Sequence, residues 1–232
     1  MQKINHVFFD LDNTLWDHRK NARLTLEKLF KKHQILEKYQ LEFEDFHTEY
    51  DIVNEGLWAD LRDEKIDKAY LRNHRFYDTF LKFKIDNFDL SQEFENNFLD
   101  DIVEFNELVE GSIEILDHLK QKNYKLHIIT NGFEEVSYRK IEGSGMNDYF
   151  ETVTSADSLN IRKPNPKIFD HALKIAKATK EESILIGDDW IADVLGAKNY
   201  GLDVIFFDVF KEQPALTEIK RVENLVEIKE FL

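Results

Sequence analysis

Cysteine is absent from the 232 residues, which excludes disulfide frameworks, thiolate metal sites and cysteine nucleophiles and suits a reducing compartment. Proline and glycine are scarce, at three and eight residues, so collagen-like and low-complexity architectures are excluded. Basic residues are in deficit: 31 Lys and Arg face 46 Asp and Glu, and the net charge of −15 would repel a nucleic-acid polymer. No local basic patch offsets that field. Long hydrophobic runs are also missing, and none approaches the roughly 20 residues of a membrane span. The first apolar run stops at Asp10, too early for the hydrophobic stretch of a signal peptide. A soluble, cytoplasmic protein with neither membrane nor nucleic-acid partners is expected.

What is present is a globular composition, 42% apolar and 33% charged, in a chain longer than one average domain and shorter than two. Ile4 to Phe9 reads as a buried parallel strand that runs into an acidic and polar cluster. From Asp17 to Glu107 there is one glycine, Gly56, and no proline, and apolar residues recur at spacings of three and four. The stripes Ala22/Leu26/Leu29/Phe30/His33, Phe46/Tyr50/Val53/Leu57, Ile66/Ala69/Tyr70/Tyr77/Leu81 and Phe94/Phe98/Ile102/Phe105 predict a four-helix bundle. From Gly111 onward, short β-rich runs alternate with helical segments. Strands are predicted at Lys125 to Thr130, Thr152 to Thr154, Ser183 to Gly187 and Val204 to Phe207, with helices around 113–122, 134–141, 166–178 and 192–199. One strand precedes the bundle and four follow it. The expected fold is therefore α/β, a doubly wound, Rossmann-like parallel sheet (1–16 and 108–232) with an inserted helical cap (17–107).

Ligands of such sheets bind beyond the carboxyl ends of the strands, so the residues there carry the functional information. They are Asp10-Leu11-Asp12-Asn13-Thr14 after the first strand, Thr130-Asn131-Gly132 after the second, and Gly187-Asp188-Asp189 with Asp193 after the fourth; Lys163-Pro164-Asn165-Pro166 lies between the last two. Two carboxylates about 4 Å apart repel by roughly 4 kcal/mol at an effective dielectric near 20, so convergence of these acids calls for a cation. An oxygen-only ligand set favours magnesium over zinc. Lys163 adds a second positive charge, Thr130 and Asn131 add hydroxyl and amide donors, and the whole suits a phosphate held against a metal. Asp10 and Asp12, two residues apart where the chain leaves its strand, invite two roles: one carboxylate attacks phosphorus while the other moves protons.

This constellation resembles the haloacid dehalogenase superfamily of phosphohydrolases, whose four motifs occur here in family order as Asp10-Leu11-Asp12-Asn13-Thr14-Leu15, Thr130-Asn131, Lys163, and Gly187-Asp188-Asp189 through Asp193. The resemblance implies Asp10 as nucleophile, Asp12 as general acid and base, and Thr130, Asn131 and Lys163 as phosphate holders. It further implies Mg2+ held by Asp10, Asp188 and Asp193 and by the main-chain carbonyl of Asp12. Asp188 ranks first among the acids of the fourth motif. The run Phe8 to Asp17, followed by an aromatic-rich insertion, is similar to the branch that includes pyrimidine 5'-nucleotidases. The implied activity is hydrolysis of a small phosphorylated metabolite, a nucleoside 5'-monophosphate, through an aspartyl phosphate. Sugar-phosphate hydrolysis, phosphomutase activity, haloacid dehalogenation and a non-catalytic binding role are the alternatives.

An EF-hand fails, because counting from Asp10 puts Leu15 where the loop needs glycine and Asn21 where it needs glutamate. Asp189 is as well suited to capping the helix near Ile191 as to binding metal, and stays outside the metal set. Tyr50 and Trp58 offer faces for a nucleobase, but aromatics at helical spacing more often pack their own bundle. Trp16 is expected at an entrance or a hinge. His33, His47, His74, His118, His127 and His171 read as ordinary surface or packed residues.

Overall fold

A computed structural model describes residues 4–211 and 219–232. Met1–Lys3, part of the first apolar run, lie outside the described residues. The chain divides into two compact units, Met1–His18 with Asn106–Leu232, and Arg19–Phe105.

The first unit is built on a six-stranded, wholly parallel sheet in the order β3-β2-β1-β4-β5-β6. Its strands are β1 (His6–Phe9), β2 (Lys125–Thr130), β3 (Phe150–Ser155), β4 (Ser183–Gly187), β5 (Asp203–Phe207) and β6 (Lys220–Val222). Every residue of β1 and β4 is buried, as the apolar runs HVFF and SILIG require of central strands covered on both faces. The strand order reverses between β1 and β4, where Phe9 pairs with Ile186, so a crevice opens beyond their carboxyl ends. β6 has only three residues and no long apolar run, and its sequence carries no strand signal.

Helix α9 (Pro166–Ala176) shows how the sequence builds this layer. The Asn165 side chain accepts from the Lys167 N–H at 3.1 Å, and Pro166 occupies the first turn, where its missing N–H costs nothing. Ile168, Phe169, Ala172, Leu173 and Ala176 then share one face and form a core with Phe8, Ile129 and Leu185 of the sheet. Each fully buried large apolar side chain there contributes about 1.5–3 kcal/mol. α6 (Ser112–Gln121), α7 (Glu134–Gly143), the short α8 (Ala156–Leu159) and α10 (Gly196–Tyr200) complete the crossovers. A π-helical turn, Trp190–Leu195, runs directly into α10.

The second unit is entirely helical: α1 (His18–Lys32), α2 (Ile35–Tyr39), α3 (Phe43–Arg62), α4 (Lys68–Lys82) and α5 (Phe88–Asp101). Asp67 and Asn87 cap α4 and α5, accepting from the Tyr70 and Leu90 N–H groups at 2.7 and 3.0 Å. The rings of Phe46, Tyr50, Phe76, Phe80, Phe94 and Phe98 interlock at its centre, with Phe80 and Phe94 edge to face at 5.0 Å. The helical segments number five rather than four, because α2 forms a separate short turn. The expected stripe on α4 is also corrected. Its buried face is Leu71, Arg75, Phe76, Thr79 and Phe80, whereas Tyr70 and Leu81 are exposed. An arginine in the middle of the inward face hid the true period. No helix among the described residues is long and apolar enough to cross a membrane.

Candidate active site

After Phe9 the chain abandons its pleat at once. The Asp10 N–H donates to the Ile186 carbonyl at 2.9 Å, tying the strand end to β4, and the Leu15 and Trp16 N–H groups both return to the Leu11 carbonyl. Asn13 takes the left-handed conformation, φ 60°, that this tight turn demands and that asparagine tolerates well. Trp16 then bridges to Asp12 and Leu108, and the Asp17 N–H meets the Glu107 carbonyl, where the chain leaves and re-enters the unit. The turn therefore gives Asp10 and Asp12 different surroundings although they are two residues apart.

Asp10, Asp188 and Asp193 each offer a carboxylate oxygen, all within 4.8 Å of one another. Lys163, 1% exposed, donates to Asp10 Oδ1 at 2.5 Å, to Asp193 Oδ1 at 2.6 Å and to the Ile129 carbonyl at 2.8 Å, so all three ammonium hydrogens have partners. One ammonium against three carboxylates leaves the cluster short of positive charge. Burial pushes the Asp10 carboxyl above its usual range, against the pull of Lys163. Burial, Asp10 and Asp193 push Asp188 well up, and burial brings Asp193 to about 7 despite Lys163. Lys163 itself is held firmly protonated: burial opposes its charge, and the two aspartates more than offset that. The donor set is all oxygen and its charge is unbalanced, so these residues fit a hard divalent cation.

The remaining parts are placed by close packing. A Cβ at Gly187 would collide with the Asp193 carboxylate, so glycine at the end of β4 is what admits that side chain. Thr14 Oγ1 donates to Asp188 Oδ1 at 3.1 Å, a contact the sequence reading missed. Asp189 accepts from the Ile191 and Ala192 N–H groups, each at 2.8 Å, which makes it the helix cap. Thr130 Oγ1 accepts from the Gly132 N–H at 3.0 Å. Asn131 differs from expectation: its amide oxygen accepts from the Lys163 N–H at 2.8 Å and its amide nitrogen donates to the Lys163 carbonyl at 3.0 Å. Its side chain therefore fixes the main chain of Lys163 and spends one of its two amide hydrogens there.

Asp12 stands apart from the acid cluster. Its Oδ1 accepts from Lys140 Nζ at 2.5 Å and lies 3.7 Å from His18 Nδ1. Burial raises its carboxyl, but Lys140, His18 and Lys163 outweigh that and hold it below the usual range. Lys140 is the principal residue that sequence reading overlooked. It shares the buried face of α7 with Ser137 and Ile141, where a lysine needs an internal partner, but that burial shows only in the structure. Trp16 is fully buried, with its indole N–H on Asn106 Oδ1 at 3.3 Å, and so does not line an opening. Tyr50, 2% exposed, packs among Phe46, Phe76 and Phe98, so its ring belongs to the helical core. His127 is buried between strands, with one ring nitrogen 3.0 Å from His6 and the other 2.9 Å from Thr152 Oγ1.

Comparison with known proteins agrees with this architecture. A pyrimidine 5'-nucleotidase of Streptococcus pneumoniae, PynA, is 29% identical over 208 residues, covering 87% of this chain and 83% of its own. A glyceraldehyde 3-phosphate phosphatase of Pyrococcus furiosus is also 29% identical, covering 97% and 90%. Among solved structures, the HAD-hydrolase YfnB of Bacillus subtilis, described as bound to magnesium, matches with a TM-score of 0.89 at 23% identity, covering 100% of this chain and 99% of its own. The family model for haloacid dehalogenase-like hydrolases matches residues 4–201. With its motif acids gathered at the switch point of a parallel sheet, the chain belongs to the haloacid dehalogenase-like hydrolases.

Proposed function

We propose that the protein is a magnesium-dependent phosphomonoesterase that acts through an aspartyl phosphate on a small phosphorylated metabolite, a nucleoside 5'-monophosphate. The observation that carries this reading is the division of the acids: Asp10, Asp188 and Asp193 converge around Lys163, while the Asp12 carboxylate stands outside that cluster on its own cation. Mg2+ fits Asp10, Asp188 and Asp193 with the Asp12 main-chain carbonyl, and when bound it supplies positive charge to offset the phosphate oxygens. Asp188 is favoured for direct ligation because both Asp193 oxygens already accept hydrogen bonds, from Lys163 and from the Asp189 N–H.

In this mechanism a carboxylate oxygen of Asp10 attacks phosphorus, and the bond from phosphorus to the ester oxygen breaks. Asp12, protonated where the phosphate dianion beside it opposes the pull of Lys140, gives that proton to the departing oxygen, which leaves as the alcohol. Water then attacks the phosphorus of the aspartyl phosphate as Asp12 takes its proton, releasing inorganic phosphate and restoring Asp10. Lys163 stabilises the charge on the transferring group, with Thr130 and the loop through Asn131 alongside it. Residues 17–107 act as the cap that selects the leaving group. The nucleotide preference rests on the similarity to PynA. The similarity to the Pyrococcus furiosus enzyme favours a triose or other sugar phosphate as the second reading.

The test is inorganic phosphate release from a panel of nucleoside monophosphates, sugar phosphates and small organic phosphates, with magnesium or with chelator, for the unaltered protein and Asp10→Asn. Release that needs both magnesium and Asp10 and is fastest with pyrimidine monophosphates is expected. A sugar-phosphate optimum would keep the mechanism and overturn the nucleotide assignment. No release from any ester would overturn the phosphomonoesterase reading.

A further inference from the structure

Lysine is almost never fully buried without a partner, because its ammonium gives up hydration that something must replace. Lys140 is 4% exposed, and the mechanism above makes no use of it. It is carried on α7, the helix that follows the Thr130–Phe133 loop, and its side chain is turned inward with Ser137 and Ile141. Nζ donates to Asp12 Oδ1 at 2.5 Å and sits 4.3 Å from the centroid of the Trp16 ring. That ring is fully buried and is pinned by Asn106, so the ammonium rests on a fixed aromatic floor. On the other side of the carboxylate, a Cβ at Gly132 would stand 3.2 Å from Asp12 Oδ2. One oxygen of Asp12 is thus gripped by an immobilised cation, and the other is directed past a residue with no side chain, beside Thr130.

This matters because Asp12 is carried by a turn rather than by a regular element, and a carboxylate there samples several rotamers unless something selects one. Proton transfer requires its oxygen to come within roughly 2.6–3.2 Å of the departing oxygen. A misplacement of about 1 Å can cost on the order of a hundredfold in rate. We infer that Lys140 is a positioning residue for Asp12: its buried ammonium, seated on Trp16, holds Oδ1 so that Oδ2 is presented to the leaving oxygen of the substrate. The inference rests on the phosphomonoesterase reading and adds to it a residue outside the four motifs.

A leaving-group comparison separates this role from a structural one. An alkyl phosphate departs as a basic alkoxide and needs a proton, whereas 4-nitrophenyl phosphate departs as a stable phenolate and needs little help. The parameter to read is kcat/KM, which reports the steps up to loss of the leaving group. Lys140→Met is expected to lower kcat/KM for a nucleoside monophosphate by about a hundredfold, and for 4-nitrophenyl phosphate by no more than about threefold. Lys140→Arg should recover much of the loss. In an Asp12→Asn background, Lys140→Met should change little, because two residues acting as one unit are not additive.

Equal losses on both esters, or full additivity with Asp12→Asn, would overturn the positioning role. If Lys140→Met does not fold, Lys140→Gln and Lys140→Arg carry the same comparison. Where a sugar phosphate is the better alkyl ester it replaces the nucleoside monophosphate in this comparison, and failure of the unaltered protein to hydrolyse any ester would overturn the phosphomonoesterase reading and this inference with it. Normal hydrolysis with an unchanged ester ratio in the variants overturns this inference alone.

Discussion

In the helical unit a buried arginine meets a buried glutamate; in the α/β unit a buried lysine meets two aspartates, with a third acid close by. Arg75 and Glu95 are 3% and 1% exposed, and the guanidinium fork reaches both carboxylate oxygens, at 2.6 and 3.1 Å. Arg72 adds a bond at 3.0 Å, and the faces of Phe98 and Phe76 cover the guanidinium at 4.7 and 5.3 Å. Every strong acceptor of Glu95 is used, and the charge is balanced toward the cation. Around Lys163 the balance runs the other way, and the surplus carboxylates are driven up by burial and by one another. Burial of an ion pair by itself therefore does not set the two places apart. A surplus of one sign, held at the ends of the strands where the sheet order reverses, is what sets the proposed site apart.

The comparison can be broken at several points, and the largest effect is expected at Asp10. Asp10→Asn should lower phosphate release by about 10⁴-fold or more while the protein stays folded, since loss of a nucleophile removes a pathway rather than a contact. Substantial residual turnover would show that another group attacks phosphorus. On the helical side, Arg75→Met leaves Glu95 buried without its main partner and should cost about 3–5 kcal/mol. For a chain of this size that corresponds to a fall of roughly 6–20 °C in thermal midpoint. Adding Glu95→Leu should return most of it, and a double variant as unstable as the single one would show that the pair, rather than the orphaned charge, mattered.

Magnesium at a hundredfold excess over its dissociation constant should stabilise the protein by about 2.7 kcal/mol, measured by thermal unfolding against chelator. Asp188→Asn should abolish that response and, by removing one surplus carboxylate, make the metal-free protein more stable. An unchanged magnesium response would remove Asp188 from the ligand set.

The smallest effect is at His127. Burial, with help from His6 and Lys125, lowers its pKa from 6.5 to about 3, so it is neutral in the folded protein and charges on unfolding below pH 6.5. Its contribution is complete above about pH 6.5 and is lost as pH falls toward 3, at about 1.4 kcal/mol per pH unit. The surplus carboxylates titrate with the opposite sign, so the contrast to measure is the stability slope of the unaltered protein against His127→Phe between pH 6 and 5. The variant should be less sensitive to acid by about that amount, and identical slopes would exclude His127 as the source.

Much of this was legible in the chain. The apolar runs gave β1, β2 and β4, Pro164 and Pro166 marked the start of α9, and the acids and Lys163 stood out because each followed or linked a strand. The missed elements share a physical cause. β6 is three residues long and is held by pairing with β5 rather than by its own pattern. The stripe of α4 was misread because a buried arginine imitates a solvent face until its glutamate partner, 20 residues away, is known. Asn131 reads as a donor to substrate, and its clamp on the main chain of Lys163, a partnership that spans 32 residues, is a second task with no local signal.

The sequence by itself determined the class of chemistry, because oxygen ligands without cysteine, an Asp-x-Asp after an apolar strand and a lysine between motifs restrict what such a crevice can hold. It determined the sheet's central strands for the same local reason: a run that is apolar throughout must be covered on both faces. Only the tertiary structure decided how the charges are shared. Asp189 became a helix cap, Asp193 was drawn onto Lys163, and Asp12 was set apart on Lys140, 128 residues away in the chain. Those assignments depend on distances of a few ångströms between segments remote in sequence. At that range the strength of an electrostatic interaction is fixed by position and burial, which no local pattern encodes.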